Sequence, residues 1–195
     1  HYLTAIAQAY QNPSISAEEK NALYGRMKTL IDGMQQCQKN SKGKAGFLWA
    51  APVHSDRNVE RQFDRVEIGK ANIFDDAWVP WYTMHKLIAG IVDVYNATGY
   101  APAKETASNL GDWVYNRCKN WSDQTHRTVL SIEYGGMNDC LYDLYAITGK
   151  ASHAEAAHYF DETALFDKVL NGGKNVLTNR HANTTIPKFI GALKR

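Results

Sequence analysis

A seven-residue phrase recurs along the chain and narrows the folds open to it. Residues 93–99 read DVYNATG and residues 143–149 read DLYAITG, so Tyr95 and Tyr145 stand 50 residues apart. Each copy closes an apolar helical run, and another helical segment follows each. A period of this length marks a stacked supersecondary unit, here a helical hairpin. Weaker copies flank the pair: HYLTAIAQAY at residues 1–10, and HANTTIPKFIGALKR at residues 181–195, which opens a further apolar helix.

The local signals fit this plan. Ser16 and Glu19 form a capping box that opens a helix running to about Lys39. NSKGKAG at residues 40–46 then breaks the pattern. Residues 47–81 show weak periodicity and read as a long irregular segment, ordered and functional because it is rich in aromatic residues. The strongest helix spans 82–97, with Leu87, Ile88, Ile91, Val92 and Tyr95 on one stripe and Gly99 as its stop. Helices are expected over 103–119, 137–147, 152–160, 165–171 and 184–194, the last with Pro187 confined to its first turn. No run alternates as a strand would. One class of helix is apolar, ends in Tyr and Gly and follows His- or Gly-rich loops; the other is amphipathic. An inner and an outer ring explain the two classes, which gives an all-α fold, an α/α toroid with the inner-helix starts around one mouth.

The net charge of +2, from 22 basic and 20 acidic residues, leaves no electrostatic footprint for nucleic acid. No apolar run reaches the ~18–20 residues that cross a bilayer, so no membrane partner is expected. Five Trp, eleven Tyr and six Phe either fill a core or supply ring faces to a sugar. Cys37, Cys118 and Cys140 lack metal-type spacing and read as small hydrophobes on helices. They leave the redox compartment open.

His85, in WVPWYTMHK beside Trp78, Trp81 and Tyr82, is a candidate to bind a hydroxyl or orient a carboxylate; the alternative is a core histidine. Glu133 precedes Gly135-Gly136 and could bind sugar hydroxyls, act as a general acid or cap the next helix. Asn138 divides between the mouth and capping, while Asn183 reads first as an N-cap. His181 is a binding candidate on a loop. Asp64, Arg65 and Glu67 form either a solvated run or an Arg–carboxylate clamp that fixes the long segment. These residue types are compatible with a carbohydrate partner.

GFLWAAP, FDRVE, WVPWYTMHKLIAGIVDVYNATG, EYGGMNDCLYDLYAITG and HANTTIPKFIGA, in this order, resemble glycoside hydrolase family 127, the β-L-arabinofuranosidase group. The resemblance implies an (α/α)6 toroid that removes β-linked L-arabinofuranose from plant glycans, and hence a secreted or periplasmic setting. It also implies a retaining mechanism with a zinc-bound Cys nucleophile and a Glu acid/base. The family's zinc and thiolate motif lies beyond the HANT-type phrase, and none of the three cysteines matches it. Residues 1–195 are therefore expected to form a single partial toroid, truncated on its C-terminal side. No catalytic or metal-ligating residue and no cofactor are expected in this chain, zinc being expected only in the complete family domain. His85 matches a sugar-contacting His of the family, while Glu133, Asn138, His181 and Asn183 match positions facing the same mouth, with Trp78 or Tyr82 at its flank. An inner helix without a neighbour would expose apolar surface and favour self-association. Two other readings are a non-catalytic carbohydrate-binding or interaction module, and another α/α-toroid sugar enzyme such as an epimerase.

Overall fold

The two copies of the repeat fold into the same helix stop. In a computed structural model that describes residues 1–50, 55–72 and 78–195, Gly99 and Gly149 adopt left-handed φ values of 70° and 69°. Their N–H groups donate to the carbonyls of Tyr95 and Tyr145 at 2.7 and 2.8 Å. Thr98 and Thr148, one residue earlier, donate their hydroxyls to the carbonyls of Val94 and Leu144 at 2.6 and 2.8 Å. Each hydroxyl also accepts the N–H two residues on, from Tyr100 at 3.1 Å and Lys150 at 3.4 Å. The phrase is thus a reusable C-cap: glycine supplies the φ other residues avoid and bonds the Tyr carbonyl, while the threonine hydroxyl bonds back into its own last turn and takes the N–H beyond the glycine.

The described residues form ten helices and no strand: α1 Tyr2–Gln11, α2 Ala17–Lys39, α3 Arg61–Glu67, α4 Pro80–Thr98, α5 Ala101–Cys118, α6 Asp123–Leu130, α7 Met137–Thr148, α8 Ala151–His158, α9 Thr163–Leu170 and α10 Ala182–Lys194. α1, α4, α7 and α10 pack side by side in that order; α2, α5 and α8 form a second layer outside them. The hairpins α1–α2, α4–α5 and α7–α8 join the layers. Each outer helix returns the chain, so the inner helices run parallel and begin at one end of the array. This is the arc of an α/α toroid, as the repeat predicts. α10 leaves Ile186, Ile190 and Leu193 exposed on one stripe, the apolar inner-helix surface expected from the sequence.

The aromatic residues are mostly core. Phe63 stacks edge-on to Trp81 and Trp113 at centroid distances of 4.8 and 5.0 Å, and Trp81 reaches Phe160 at 5.1 Å. Cys118 and Cys140 are buried, and burial raises their thiol pKa. Cys37 corrects the expectation of a buried thiol: it is exposed on α2, and Gln38 is the buried residue of that turn. Gln38 uses its amide to donate to the carbonyls of Gly46 at 2.8 Å and Thr106 at 3.1 Å.

The segment 47–81 contains a helix that periodicity did not reveal. α3 buries only Phe63 and Val66, and its charged residues outnumber them. Those charges explain the helix. Arg117 of α5, 7% exposed, donates from Nη1 to Glu60 at 2.8 Å, from Nη2 to Asp64 at 2.6 Å and from Nε to Glu67 at 2.5 Å. The indoles of Trp113 and Trp121 donate to Glu60 and Glu67 at 3.3 and 2.8 Å. The clamp read from FDRVE is therefore real, and Arg117 is the buried cation that holds Glu60, Asp64 and Glu67. The end of GFLWAAP and the start of DDAWVPW lie outside the described residues. α6 was also missed; its Ser122 cap, accepting from Thr125 N–H at 3.1 Å, was the available signal. Replacing Arg117 with Met leaves Glu60 buried without its cation. Denaturant unfolding should show a loss of about 3 kcal/mol.

Candidate functional site

The inner helices begin with Pro80 in α4, Met137 in α7 and Ala182 in α10. His85 of α4 lies where the α7 entry loop and α10 approach α4. Pro80 starts α4 with a preset φ, and His85 follows in the second turn, 4% exposed. Its ring stands edge-on to Tyr82 at 5.2 Å. The Gly135-Gly136 pair covers it. A Cβ on Gly135 would lie 2.4 Å from His85 Nδ1 and 2.8 Å from Tyr82, and one on Gly136 would lie 2.7 Å from the Pro187 side chain. α4, the α7 entry loop and α10 therefore converge around one imidazole, and glycine is what lets them approach.

His85 Nδ1 is buried with no hydrogen-bond partner among the described residues. Burial, reinforced by the Lys86 charge, pushes the His85 pKa down to about 3. The ring is therefore neutral across ordinary pH. It offers one donor and one acceptor, as recognition of a hydroxyl requires. Half-buried Tyr82 and Lys86 continue the surface, with the Lys86 ammonium 5.7 Å from the Tyr82 ring centre. Both line an open cleft of about 400 Å³ together with His1, Tyr2, Leu3 and Leu87.

The other sequence candidates divide. Glu133 is exposed two residues before Gly135, and Trp78 is 60% exposed just ahead of α4. His181 is the N-cap residue of α10 without a side-chain cap bond, and Asn183 is exposed within its first turn. The expected cap at Asn183 is thus displaced by two residues. Pro187 falls in the second turn of α10 rather than the first, because the helix starts at Ala182. No hydrogen bond or ring contact joins Glu133, His181 or Asn183 to His85 among the described residues. Asn138 turns inward. It is fully buried, and its amide donates to Asp161 Oδ1 and to the Lys188 carbonyl, both at 3.0 Å. Its Oδ1 accepts the Asp139 N–H at 2.9 Å in the first turn of α7, and its amide ties α7 to α10. Asp161, which sequence reasoning passed over, also accepts from the Tyr142 hydroxyl at 2.7 Å.

Cys118 and Cys140 are buried on separate helices with thiols held protonated. No three His, Cys, Asp or Glu side chains are grouped to hold a metal among the described residues.

Two outcomes follow from this geometry. Gly135 has φ 57° and faces His85, so Gly135→Ala combines left-handed strain with a clash. Chemical denaturation should show a loss of about 2–4 kcal/mol. For His85, the unfolded chain takes up a proton below about pH 6.5 while the folded chain resists until about pH 3. Its contribution to stability is complete above pH 6.5 and is lost as the pH falls toward 3. Between pH 6.5 and 5 that loss amounts to about 2 kcal/mol, and it should be missing from the stability profile of His85→Gln.

A family model described as beta-L-arabinofuranosidase, GH127 catalytic domain, matches residues 1–195 of this chain. No curated protein matches it.

Proposed function

Because the chain belongs to the GH127 beta-L-arabinofuranosidase catalytic-domain family, a family of glycoside hydrolases acting on arabinofuranosyl residues, we propose that it supplies one wall of the sugar-binding mouth. In this reading it binds and orients the arabinofuranosyl unit and does not carry the nucleophile. The observation that carries the reading is the convergence of α4, the glycine pair and α10 on the neutral His85 ring. A neutral imidazole offers one donor and one acceptor, the pair that a sugar hydroxyl uses.

The roles follow from chemistry. His85 bonds a hydroxyl. Tyr82, with Trp78 at the rim, presents a ring to the apolar sugar face. Glu133 is an exposed carboxylate suited to a hydroxyl pair or to proton transfer. His181 and Asn183 add donors and acceptors from the start of α10. Asn138 serves the same mouth indirectly, by fixing α10 against α7.

Calorimetric titration with methyl β-L-arabinofuranoside tests this. Saturable binding is expected, and His85→Ala should weaken it by about 1.5–3 kcal/mol, roughly ten- to a hundredfold. Glu133→Gln should weaken it by a smaller factor. No binding, or binding indifferent to both substitutions, would refute the reading.

A further inference from the structure

Glu162 leads into α9 as its N-cap residue, next to Asp161, and its carboxylate bonds the loops before α7 and α10. Oε2 accepts from Lys188 Nζ at 2.8 Å and lies 3.4 Å from the Tyr134 hydroxyl. Oε1 accepts from Arg180 Nη1 at 3.2 Å. The Lys188 side chain is 7% exposed, and its ammonium sits 4.1 Å from the Tyr134 ring centre, within the range of a cation–π contact. Tyr134 is fully buried. Burial and the Glu162 charge raise its pKa, so the phenol remains a donor.

The chain positions of these partners give the contact its meaning. Tyr134 is the residue between Glu133 and Gly135, and Arg180 immediately precedes His181. One carboxylate thus holds the neighbours of two candidate sugar-facing residues on loops that are remote in sequence. A buried Lys–Glu pair is a weak source of net stability compared with an apolar filling. Its geometry, however, fixes the Tyr134 ring and the Arg180 side chain relative to each other.

We propose that Glu162 is a positioning residue of the mouth, setting the separation of the Glu133 and His181 loops through Tyr134, Lys188 and Arg180. The proposal rests on the functional reading above for its purpose, but the coupling of the two loops is measurable without any sugar.

Hydrogen–deuterium exchange resolved by peptide, with parallel glycoside titration, tests it on the full chain. Glu162→Gln should speed amide exchange about tenfold in both 131–136 and 180–184 while α4 and α5 are unchanged. Its affinity for methyl β-L-arabinofuranoside should fall about tenfold. Arg180→Gln should loosen only 180–184. Asp112→Asn removes a comparable tie on the outer layer, to Lys150 at 2.7 Å and His153 at 3.1 Å, and should move neither loop nor the affinity. Should Glu162→Gln fail to fold, Glu162→Asp, which keeps the charge on a shorter arm, should loosen both loops more mildly. Unchanged exchange in either loop of the Glu162 variant overturns the proposal. So does loosening of the same loops by Asp112→Asn, or undiminished affinity with both loops loosened. If the unaltered chain does not bind the glycoside, the functional reading falls, and the exchange pattern alone decides the coupling.

Discussion

Close approach of parallel inner helices is the constraint on which the rest depends. Each neighbouring pair places a glycine at its contact. A Cβ on Gly90 of α4 would stand 3.0 Å from Leu3 of α1. One on Gly135, ahead of α7, would collide with His85 of α4. One on Gly191 of α10 would lie 2.5 Å from the Asn138 amide of α7. Removing a side chain at each seam lets the partner side chain fill it. Leu3 fills the first seam with hydrocarbon, but His85 and Asn138 fill the next two with polar groups. Burying a polar group is costly unless it is bonded. Asn138 is bonded on its amide nitrogen, whereas the His85 ring is held neutral by burial. The same packing rule therefore produces a bonded joint at one seam and a neutral imidazole at the other.

The outer elements hold these seams in place. Arg117 draws the acidic edge of α3 onto α5. Behind it, Trp113, Phe63 and Trp81 form a continuous aromatic block that reaches the first turn of α4. On the other side, Glu162 and Asp161, adjacent in sequence, reach Lys188 and Asn138 respectively. His85 and Asn138 stand in the first two turns of α4 and α7, whose far ends are fixed by identical Thr-Gly caps.

Much of this was legible in the sequence. The DxYxxTG repeat encodes a complete local motif, because its Thr and Gly bond only within their own turn; the hairpins and the inner and outer layers follow from it. The capping box of Ser16 and Glu19 was readable for the same reason. What could not be read depends on partners distant in the chain. Arg65 was the plausible cation from spacing, but Arg117 reaches the carboxylates through the fold. Asn138 was readable as a local group, and its Oδ1 does accept the Asp139 N–H, but its amide partners lie at 161 and 188. α3 gave no periodicity because two apolar residues suffice when a buried guanidinium does the rest. The family resemblance carried by the ordered phrases supplied the chemistry that the sequence patterns alone left open.

The state of one nitrogen bears most directly on the mouth. In a chain with ¹⁵N-labelled histidine, the His85 ring should show the signals of a neutral imidazole at pH 5, and Nδ1 should shift saturably as methyl β-L-arabinofuranoside is added. A ring already protonated at pH 5, or an Nδ1 signal that ignores the glycoside at saturating concentration, would contradict the assignment of His85 to the sugar site.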